Sequence, residues 1–521
     1  MSYNRRLMSA DPTCFNLCDY FLAEERLHRI GDRNAIVFRD GSMNYQELRD
    51  EVDYWAHQIL RCGVVEGARV AVLLYDSREF IACFLAAVSV GAVCVPINTF
   101  LSADDVAFIL SDSGARLVIA ESELVGRIGS TSGRSLLTVD TANRAHANHK
   151  VKETPQPTAA TTHDSPAFLL YTSGSTGTPK GVLHLHGSIP FTEKSYAANV
   201  LRLTSEDRVF SSSRMFFAYG LGNSLSFPLA AGATVLLEAE RMSAERLARF
   251  IEERAPTVFF GVPAVYQSLL DFRSGGGRLD LSSVRLCVSA GEALPPKIFE
   301  DWQREFGRTI LDGIGSTEML HIFISNREGN SRAGSSGTVV EGYDARLLTD
   351  TGDEVGANEL GNLWVRGASA TAGYWNRADL TEQTIKDGWV RTGDIYRKDE
   401  DAFFYHIGRS DDCFKVRGLW VSPIEVESVL ISHDSVSEAA VVSAIDENGL
   451  ATALAYVVIR QGERSAALKD EICRFAGSRL PHYKIPSQIE FIEEMPRTST
   501  GKIQRYKLRA EGRQYRSGET G

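Results

Sequence analysis

The sequence Tyr-Thr-Ser-Gly-Ser-Thr-Gly-Thr-Pro-Lys-Gly at residues 171–181 has the composition of a loop that binds phosphate. Glycine lets the backbone pass close to an anion, hydroxyl groups donate hydrogen bonds, and a lysine adds positive charge. The apolar residues at 166–171 predict a strand that leads into this loop. The residues predicted to bind a polyphosphate are Thr172, Ser173, Gly174, Ser175, Thr176, Gly177 and Lys180.

Two other phosphate-binding motifs do not fit the chain. A Walker A loop requires a different spacing between glycine and lysine from that of residues 171–181. The Rossmann pattern that begins at Gly313 also fails, because Glu318 occupies the position of its third glycine. A flexible Gly/Ser surface loop has a similar composition, but the preceding strand and the Pro-Lys-Gly ending favour phosphate binding.

The elements that must position this loop follow from the order of apolar and amphipathic stretches. Short apolar runs alternate with amphipathic stretches, which predicts an α/β fold with parallel-rich sheets flanked by helices. After Gly334, shorter strands and turns predict a β-rich subdomain. A break at 408–412 is followed by helix and strand patterns typical of a separate α+β unit. We therefore expect a large N-terminal domain at 1–410 and a small mobile C-terminal domain at 411–521.

The overall composition excludes several classes of protein. Among 521 residues, 56 Lys and Arg stand against 67 Asp and Glu, and the formal charge of −11 lacks the basic footprint of a nucleic-acid-binding protein. Eight cysteines without a Cys-x-x-Cys pair favour reduced thiols, and no signal peptide is visible, so we expect a cytoplasmic protein. Residues 80–97 carry no charge, but Gly91 and Pro96 favour a helix and a buried strand over a membrane span.

The 171–181 loop resembles the signature of the AMP-forming acyl-adenylate enzymes, which include acyl-CoA synthetases, adenylation domains and luciferases. Further motifs follow in the family's order at 289–292, 315–318, 391–394, 408–411 and 496–502. The resemblance implies that Thr317 contacts the α-phosphate of ATP and that Glu318 helps to hold Mg²⁺, a hard cation that prefers oxygen ligands. It also implies nucleotide contacts by Gly291, Glu292, Asp312, Gly313, Asp394 and Arg409.

The resemblance also implies two half-reactions. In the first, a carboxylate attacks the α-phosphorus of ATP and pyrophosphate leaves, with Lys502 as the adenylation lysine. In the second, the small domain rotates about the hinge residue Asp411, and the thiol of coenzyme A displaces AMP. The residues implied to line the coenzyme A tunnel are Lys415, Gly418 and Trp420. Packing at a domain interface explains Trp420 equally well.

Some of these stretches have ordinary explanations outside the family. Asp394 follows a glycine and would then mark a turn. Residues 408–411 would form a linker held by salt bridges. Ile314 stands where many family members have an aromatic residue, so stacking on adenine is not implied at that position.

The stretch 214–223 is rich in aromatic residues and glycine, and it resembles the corresponding stretch of benzoate–CoA ligases. Aromatic rings offer faces and edges to another ring. The stretch contains no acidic side chain to pair with an α-ammonium group, which argues against an amino acid substrate but allows a neutral arylamine. The residues predicted to contact the acid are Phe216, Phe217, Ala218, Tyr219, Gly220, Ile314, Gly315 and His321.

Ordinary packing competes with binding at several of these positions. We expect either Phe216 or Phe217 to be plain core. For His321, a core histidine is favoured over a donor to a ring substituent. His184 and His186 lie two residues apart, but without further ligands they do not predict a metal site.

Three functions are compatible with these motifs. The favoured one is an aryl-CoA ligase that acts on benzoate or an aminobenzoate such as anthranilate, with ATP, Mg²⁺ and coenzyme A. The second is an adenylation enzyme that loads a separate carrier protein, and the absence of a fused carrier domain favours coenzyme A over it. The third is a nucleotide sensor without activity, which the joint presence of Lys502, Glu318 and Asp411 disfavours. A homodimer is the base-rate expectation for the assembly.

Overall fold

The computed structural model describes residues 14–129, 133–140, 155–173, 178–417, 419–445, 450–460, 464–497 and 503–514. Its first helices and strands are α1 (Leu17–Leu22), α2 (Glu24–Ile30), β1 (Asn34–Phe38), β2 (Gly41–Asn44), α3 (Tyr45–Arg61), β3 (Arg69–Leu73), α4 (Arg78–Ser89), β4 (Val93–Pro96), α5 (Ala103–Ser113), β5 (Leu117–Glu121), a 3-10 helix (Ser122–Arg127) and β6 (Ser135–Val139). The next are β7 (Pro166–Ser173), β8 (Pro179–Leu185), α6 (Ser188–Thr192), a π-helical segment (Glu193–Ala198), β9 (Arg208–Ser211), α7 (Ala218–Leu221), a second π-helical segment (Gly222–Ser226), α8 (Phe227–Ala231), β10 (Thr234–Leu236), α9 (Ala244–Arg254), β11 (Val258–Gly261), α10 (Pro263–Ser274), β12 (Leu286–Ser289), α11 (Pro296–Phe306), β13 (Ile310–Gly315) and β14 (Ile322–Ser325).

The remaining part of the chain is rich in strands, but the predicted shortening of strands after Gly334 is wrong, because two strands of 10 residues lie there. Its first elements are β15 (Thr338–Val339), β16 (Asp344–Leu348), β17 (Leu360–Arg366), β18 (Gly373–Tyr374), α12 (Ala378–Thr384), β19 (Ile385–Lys386), β20 (Trp389–Lys398) and β21 (Phe404–Arg409). Its last elements are β22 (Phe414–Val416), β23 (Leu419–Val421), α13 (Pro423–Ile431), β24 (Val436–Ile445), β25 (Ala451–Ile459), α14 (Ala466–Gly477), a 3-10 turn (His482–Lys484), β26 (Gln488–Phe491) and α15 (Arg505–Gln514).

Two large sheets organise the chain up to Ser325, and the short strands β15 and β18 from further along the chain each add to one edge. Over the described ranges, one has the strand order β15-β14-β13-β12-β11-β9-β10-β1-β2 and the other has the order β18-β8-β7-β4-β3-β5-β6. The central neighbours in both are parallel, whereas the β7–β8 hairpin and the β13–β14 pair are antiparallel. Helices between the strands cover the sheets, so the prediction of an α/β fold with parallel-rich sheets is confirmed.

The uncharged stretch 80–97 forms a buried helix and a buried strand, as the sequence predicts. Every residue of α4 is buried, and Ser77 caps the helix by accepting a hydrogen bond from the amide of Phe80 at 3.2 Å. The chain turns at Gly91, whose φ of +74° favours glycine, and then enters β4, which is buried along its length. Within the described residues, no helix combines the length and the apolar character that a bilayer crossing requires.

Antiparallel pairing dominates after Gly334. Strands β16, β17, β20 and β21 pair in that order, and β19 adds to β20. This sheet is the predicted β-rich subdomain. Beyond it, β24, β25 and β26 form a further sheet with α13 and α14 packed around their own apolar core, which is the predicted α+β unit. The proposed division between 1–410 and 411–521 stays a prediction.

Candidate active site

One edge of the larger sheet collects the loops that the motifs single out. The strands β9, β11, β12 and β13 are parallel, so the loops that follow them leave from the same edge. Ligands of open α/β sheets bind at this carboxyl edge. The loops that follow β9, β12 and β13 hold the predicted aryl segment, the predicted adenine motif and the predicted α-phosphate motif.

The predicted phosphate loop lies between two antiparallel strands. Strand β7 ends at Ser173, as the apolar run before the loop predicts, and β8 begins at Pro179. Thr172 faces Lys180 across this hairpin. Gly174, Ser175, Thr176 and Gly177 lie outside the described residues, so their part in phosphate binding stays a prediction.

A phenol bridges the loop lysine and the predicted metal-binding carboxylate. Tyr374 donates its hydroxyl proton to Oε1 of Glu318 at 2.6 Å. Lys180 Nζ lies 3.4 Å from the same hydroxyl, 4.5 Å from the centroid of the tyrosine ring and 4.0 Å from Glu318 Oε1. Burial lowers the pKa of Lys180, and the nearby Glu318 opposes that shift. We call these three residues the phosphate cluster.

Backbone contacts fix the loop that carries Thr317 and Glu318. His184 donates from Nε2 to the carbonyl oxygen of Thr317 at 2.8 Å, and the amide of Thr371 donates to the carbonyl oxygen of Glu318 at 2.7 Å. Burial lowers the pKa of His184 to about 4, so this histidine is neutral at pH 7. His184 therefore acts as a fixed donor behind the loop rather than as a metal ligand.

The carboxylate of Glu318 fits a magnesium ion that is shared with phosphate. Magnesium is usually bound through one or two carboxylates together with phosphate oxygens and water. Among the residues with a described position, no group of three or more His, Cys, Asp and Glu side chains is arranged to hold a metal by itself. A single carboxylate beside Lys180 and the phosphate hairpin therefore suits a cation that arrives with a polyphosphate.

The predicted ribose motif forms a charged corner between β20 and β21. Asp394 is 8% exposed and pairs with Arg409 at 3.3 Å and with His406 at 3.4 Å. Burial would raise the pKa of Asp394, but the neighbouring His406 and the charge of Arg409 outweigh it and lower the pKa. The charges of Arg409 and Asp411 also act on Lys180, so this corner lies within electrostatic range of the phosphate cluster.

The predicted adenine side is built from the ends of β12 and β13. Gly291 follows β12 with φ of +93°, a conformation that favours glycine, and Glu292 next to it is half-buried. Gly313 has no room for a side chain, because a Cβ there would lie 2.9 Å from the carbonyl oxygen of Ile324. Asp312 is buried, and desolvation raises the pKa of its carboxyl group well above the ordinary value.

The predicted aryl segment packs against the apolar core at the carboxyl edge of the larger sheet. Phe216 is 2% exposed and belongs to the main apolar core, whereas Phe217 is half-buried against it, with ring centroids 4.6 Å apart. One of the two is thus plain core, as expected. Tyr219 donates to the carbonyl oxygens of Gly261 at 3.3 Å and Val288 at 3.4 Å, which fixes the ring between β11 and β12.

His321 sits in an aromatic cage formed by the residues Tyr196, Tyr219 and Phe227. The three ring centroids lie 5.3, 5.5 and 4.5 Å from that of the histidine. The histidine donates from Nε2 to Oδ1 of Asn223 at 3.1 Å, while its buried Nδ1 has no hydrogen-bond partner among the described residues. Burial lowers the pKa of His321 to about 3. The cage therefore contains a neutral imidazole with one nitrogen satisfied.

Two glycines make room for this cage. A Cβ at Gly222 would lie 2.3 Å from Cδ2 of His321, and a Cβ at Gly315 would lie 2.6 Å from the histidine carbonyl oxygen. A Cβ at Gly220 would meet the carbonyl oxygen of Arg214 at 2.0 Å. The predicted contact residues Ala218 and Ile314 lie on the same two segments, Ala218 buried and Ile314 half-buried. We call this region the aryl pocket.

A buried acid holds the start of the aryl segment. Asp76 is 6% exposed, accepts a hydrogen bond from the amide of Met215 at 3.0 Å and lies 3.6 Å from Nη1 of Arg214. Arg214 also donates to the carbonyl oxygen of Glu238 at 2.7 Å. The turn that leads to Phe216 is thus tied to the loop after β3.

The predicted hinge lies between two anchored residues. Arg409 donates to the carbonyl oxygen of Thr392 at 2.8 Å and so belongs to the antiparallel sheet. Asp412 pairs with Arg505 at 3.8 Å and with Arg509, both on α15. Asp411 is exposed between them.

Arg505 connects several segments near the hinge. It makes a bidentate contact to Glu427 on α13 at 2.8 and 2.9 Å. Burial lowers the pKa of Arg505, but the charges of Glu427, Asp412 and Glu292 raise it above its ordinary value. Because Glu292 belongs to the adenine motif, the beginning of the last helix lies within electrostatic range of the predicted nucleotide site.

The predicted coenzyme A loop is an exposed hairpin. Lys415 on β22 and Trp420 on β23 face each other, with Nζ 4.8 Å from the indole centroid. Trp420 is 42% exposed and Leu419 is 51% exposed, which does not fit burial at a domain interface. Gly418 and Lys502 lie outside the described residues.

Three contributors escaped the sequence analysis. Tyr374, Asp76 and Arg505 touch the predicted site through contacts that join distant segments. None of them stands in a motif quoted for the nucleotide or the acid. The only local signal for Tyr374 is the Gly-Tyr-Trp-Asn sequence at 373–376, which by itself predicts a turn beside packed aromatic residues.

The fold and this cleft define the class of enzymes that bind a nucleotide at a glycine-rich hairpin and carry a small C-terminal unit. The model of the AMP-binding enzyme family matches residues 23–375, and that of the AMP-binding enzyme C-terminal domain matches residues 425–502. The chain belongs to the AMP-binding enzyme family. The family resemblance seen in the motifs is confirmed.

Relatives and solved structures match the chain over nearly its whole length. It is 39% identical over 509 residues to the benzoate–CoA ligase of Thauera aromatica, covering 96% of each chain. It superimposes on the anthranilate CoA ligase AuaEII in complex with anthranoyl-AMP with a TM-score of 0.91 and 36% identity, covering 97% and 99% of the two chains. A benzoate CoA ligase from Burkholderia xenovorans LB400 gives a TM-score of 0.87 and 38% identity, covering 95% and 100%.

Proposed function

We propose that the chain is an ATP-dependent aryl-CoA ligase. It converts an aromatic carboxylic acid, benzoate or an aminobenzoate such as anthranilate, to its coenzyme A thioester through an aryl-adenylate, and it releases AMP and pyrophosphate. The observation that carries this conclusion is that one short loop holds Glu318 in the phosphate cluster and His321 in the aromatic cage. An aromatic acid bound beside the cage would have its carboxylate directed toward the nucleotide.

In the first half-reaction, a carboxylate oxygen bonds to the α-phosphorus of ATP and the bond to pyrophosphate breaks. The protein must align the reactants and offset the negative charge on the phosphate oxygens. Lys180, Thr317 and Lys502 would share that task with the donors of residues 172–177. Magnesium, held by Glu318 and the phosphates, would neutralise part of the charge of the polyphosphate. The family resemblance supports the role of Lys502.

The remaining nucleotide contacts follow from the polar corner and the two strand ends. Asp394, whose pKa is lowered by His406 and Arg409 against the effect of burial, is an ionised acceptor suited to ribose hydroxyls. Arg409 would bind ribose and phosphate. The adenine would lie along the segments of Gly291, Glu292, Asp312 and Gly313.

In the second half-reaction, the thiol of coenzyme A attacks the carbonyl carbon of the mixed anhydride, loses its proton, and AMP leaves. We propose that the C-terminal unit turns about Asp411 between the two half-reactions. Lys415, Gly418 and Trp420 would then line the path of the thiol. The exposure of Trp420 and Leu419 supports a surface that is free before this turn.

The composition of the aryl pocket favours a ring acid without a cationic group. Its described walls are aromatic rings, glycines and the aliphatic residues Ala218 and Ile314, and His321 is neutral at pH 7 because burial lowers its pKa to about 3. Desolvation also raises the pKa of the buried carboxyl group of Asp312. Such surroundings suit a benzene ring and leave an α-ammonium group without a partner.

Two further expectations concern the setting of the enzyme. All eight cysteines are free thiols, which supports a reducing compartment such as the cytoplasm. A homodimer stays a prediction that sedimentation analysis checks. Loading of a separate carrier protein is less favoured than coenzyme A, because the benzoate and anthranilate relatives that match over at least 95% of both chains are named as CoA ligases.

The test is to incubate the protein with ATP, Mg²⁺ and coenzyme A and a panel of acids at equal concentration. The panel holds benzoate, 2-aminobenzoate, 4-hydroxybenzoate, phenylalanine and a medium-chain fatty acid, and mass spectrometry identifies the thioesters. We expect a dominant aryl-CoA. An acyl-adenylate without any thioester would point to a carrier protein as the acceptor, and a dominant fatty acyl-CoA would contradict the aryl pocket.

A further inference from the structure

We propose that Tyr374 is a positioning residue that holds Lys180 and Glu318 apart, so that both charges stay available to magnesium-bound ATP. The inference rests on the proposed function, since it assigns the phosphate cluster to that nucleotide. It adds a residue from a distant part of the chain, whose place in the site is visible only in three dimensions.

The distances show a hydrogen-bonded relay instead of a direct ion pair. The tyrosine hydroxyl donates to Glu318 Oε1 at 2.6 Å and lies 3.4 Å from Lys180 Nζ. The lysine nitrogen and the carboxylate oxygen are 4.0 Å apart, whereas a direct N–H···O contact between such charges closes to about 2.8 Å. The phenol bridges the two groups from one side, and its ring centroid lies 4.5 Å from Nζ.

Rigid neighbours hold the phenol in this position. Tyr374 pairs with Val182 in the contact between β18 and β8, so it is joined to the strand that carries Lys180. Its amide donates to Oγ1 of Thr381 at 2.9 Å, and the side chain is 6% exposed. The next residue, Trp375, donates from Nε1 to the carbonyl oxygen of Asp112 at 3.1 Å.

The spacing has a consequence for binding. A lysine and a glutamate that pair directly must separate before the cation can meet phosphate and the carboxylate can meet a metal. That separation costs binding free energy, as any breaking of a charge-assisted hydrogen bond does. With the phenol bridging the two groups, Glu318 keeps Oε2 free of any contact with Lys180 or Tyr374 that the structure records, and Lys180 keeps its remaining donors for phosphate.

The direct test is the variant Tyr374→Phe, which removes the hydroxyl and keeps the ring. Isothermal titration calorimetry with ATP and Mg²⁺ in the absence of acid gives a dissociation constant that does not depend on turnover. We expect this constant and the KM for MgATP to rise about tenfold, the scale of one hydrogen bond to a charged group, while kcat at saturating MgATP changes less.

The matched control is Tyr45→Phe. This variant also removes a buried hydroxyl, which in Tyr45 donates to the carbonyl oxygen of Ala233 at 2.7 Å in the core. It should leave the affinity for MgATP unchanged. A second variant, Thr381→Val, removes the hydroxyl that accepts from the amide of Tyr374 and donates to the carbonyl oxygen of Arg377. It should raise the same dissociation constant by a smaller factor, which keeps the test informative if Tyr374→Phe does not fold.

The outcomes separate the inference from the proposed function. Wild-type affinity for MgATP in folded Tyr374→Phe would overturn the role of the phenol while the ligase assignment stands. An unchanged affinity in Thr381→Val would do the same if it were the only folded variant. If the wild-type chain binds no MgATP at all, both the inference and the proposed function fail.

Discussion

The phosphate cluster and the aryl pocket share one loop, yet they consist of different types of residue. The first consists of Lys180, Tyr374 and Glu318 at hydrogen-bond distances, with more charges nearby. The second consists of aromatic rings around a neutral His321, with glycines that give the space. Electrostatic attraction acts over several ångströms, whereas contact packing changes over a few tenths. Substitutions that change a charge should therefore affect nucleotide binding most, and substitutions that change side-chain volume should affect binding of the carboxylic acid most.

The largest effect is expected on the nucleotide side, from Lys502→Ala. Removal of a cation that stabilises the transition state should lower the rate of adenylation on the order of 10²–10³-fold. Formation of the thioester from a supplied aryl-adenylate should be largely retained. The two half-reactions are measured separately, by pyrophosphate release and by thiol consumption, and an equal loss of both would refute the assignment of this lysine.

A low pH should lower the unfolding free energy through both the nucleotide side and the aryl pocket, because each contains a buried neutral histidine. Burial lowers the pKa of His184 to about 4 and that of His321 to about 3 from an ordinary 6.5. The unfolded chain thus takes up protons below pH 6.5 that the folded chain refuses, so stability falls as the pH drops from about 6.5 toward 4. Each histidine should remove up to about 1.4 kcal/mol of unfolding free energy per pH unit.

Urea unfolding at a series of pH values measures this slope. The variant His321→Gln keeps a donor for Asn223 and removes the titration, so its stability should depend less steeply on pH than that of the wild type. A slope identical to the wild type in this variant would show that the imidazole of His321 does not contribute.

A volume change should affect the acid side alone. In Gly222→Ala the new methyl group would lie 2.3 Å from Cδ2 of His321 and displace the ring. Overpacking of this kind costs about 1–3 kcal/mol, so the KM for the aromatic acid should rise about tenfold or more. The dissociation constant for MgATP should not change. Gly126→Ala, where the added Cβ meets nothing within 4 Å, is the matched control for steady-state kinetics.

The smallest effect is expected from Asp76→Asn, which changes a charge on the acid side without touching the pocket. The amide still accepts from Met215, but Arg214 loses its carboxylate partner at 3.6 Å. We expect a loss of about 1 kcal/mol in binding of the acid, seen as a several-fold rise in its KM. A larger change for MgATP than for the acid would contradict the separation of the two sides.

The parts of this site that the sequence predicts are those whose residues lie close together along the chain. The strand before the phosphate loop, the Thr317–Glu318 motif and the aromatic run at 214–223 each occupy one short stretch. Their chemistry follows from residue type and spacing over a few positions. The alternation of elements likewise predicted the parallel-rich sheets, because hydrophobic periodicity is a local property.

Other parts depend on strand pairing that no local pattern specifies. Tyr374 reaches Glu318 across 56 positions because β18 pairs with β8, and Asp76 reaches Met215 across 139. Whether Phe216 or Phe217 belongs to the core depends on which ring the packing covers, so the sequence left the choice between them open. Burial also decided the protonation of His184 and His321, since the pKa of an imidazole depends on its surroundings.

The contact of Arg505 with Glu427 and Asp412 couples two positions that are far apart in sequence. Lys502 precedes this arginine by three residues, and Asp412 follows the proposed pivot by one. A rotation about Asp411 would therefore move Lys502 together with the rest of the C-terminal unit. The order of the two chemical steps would then be kept mechanically: the group that serves the first step leaves as the surface for the second arrives, with no separate signal to time the exchange.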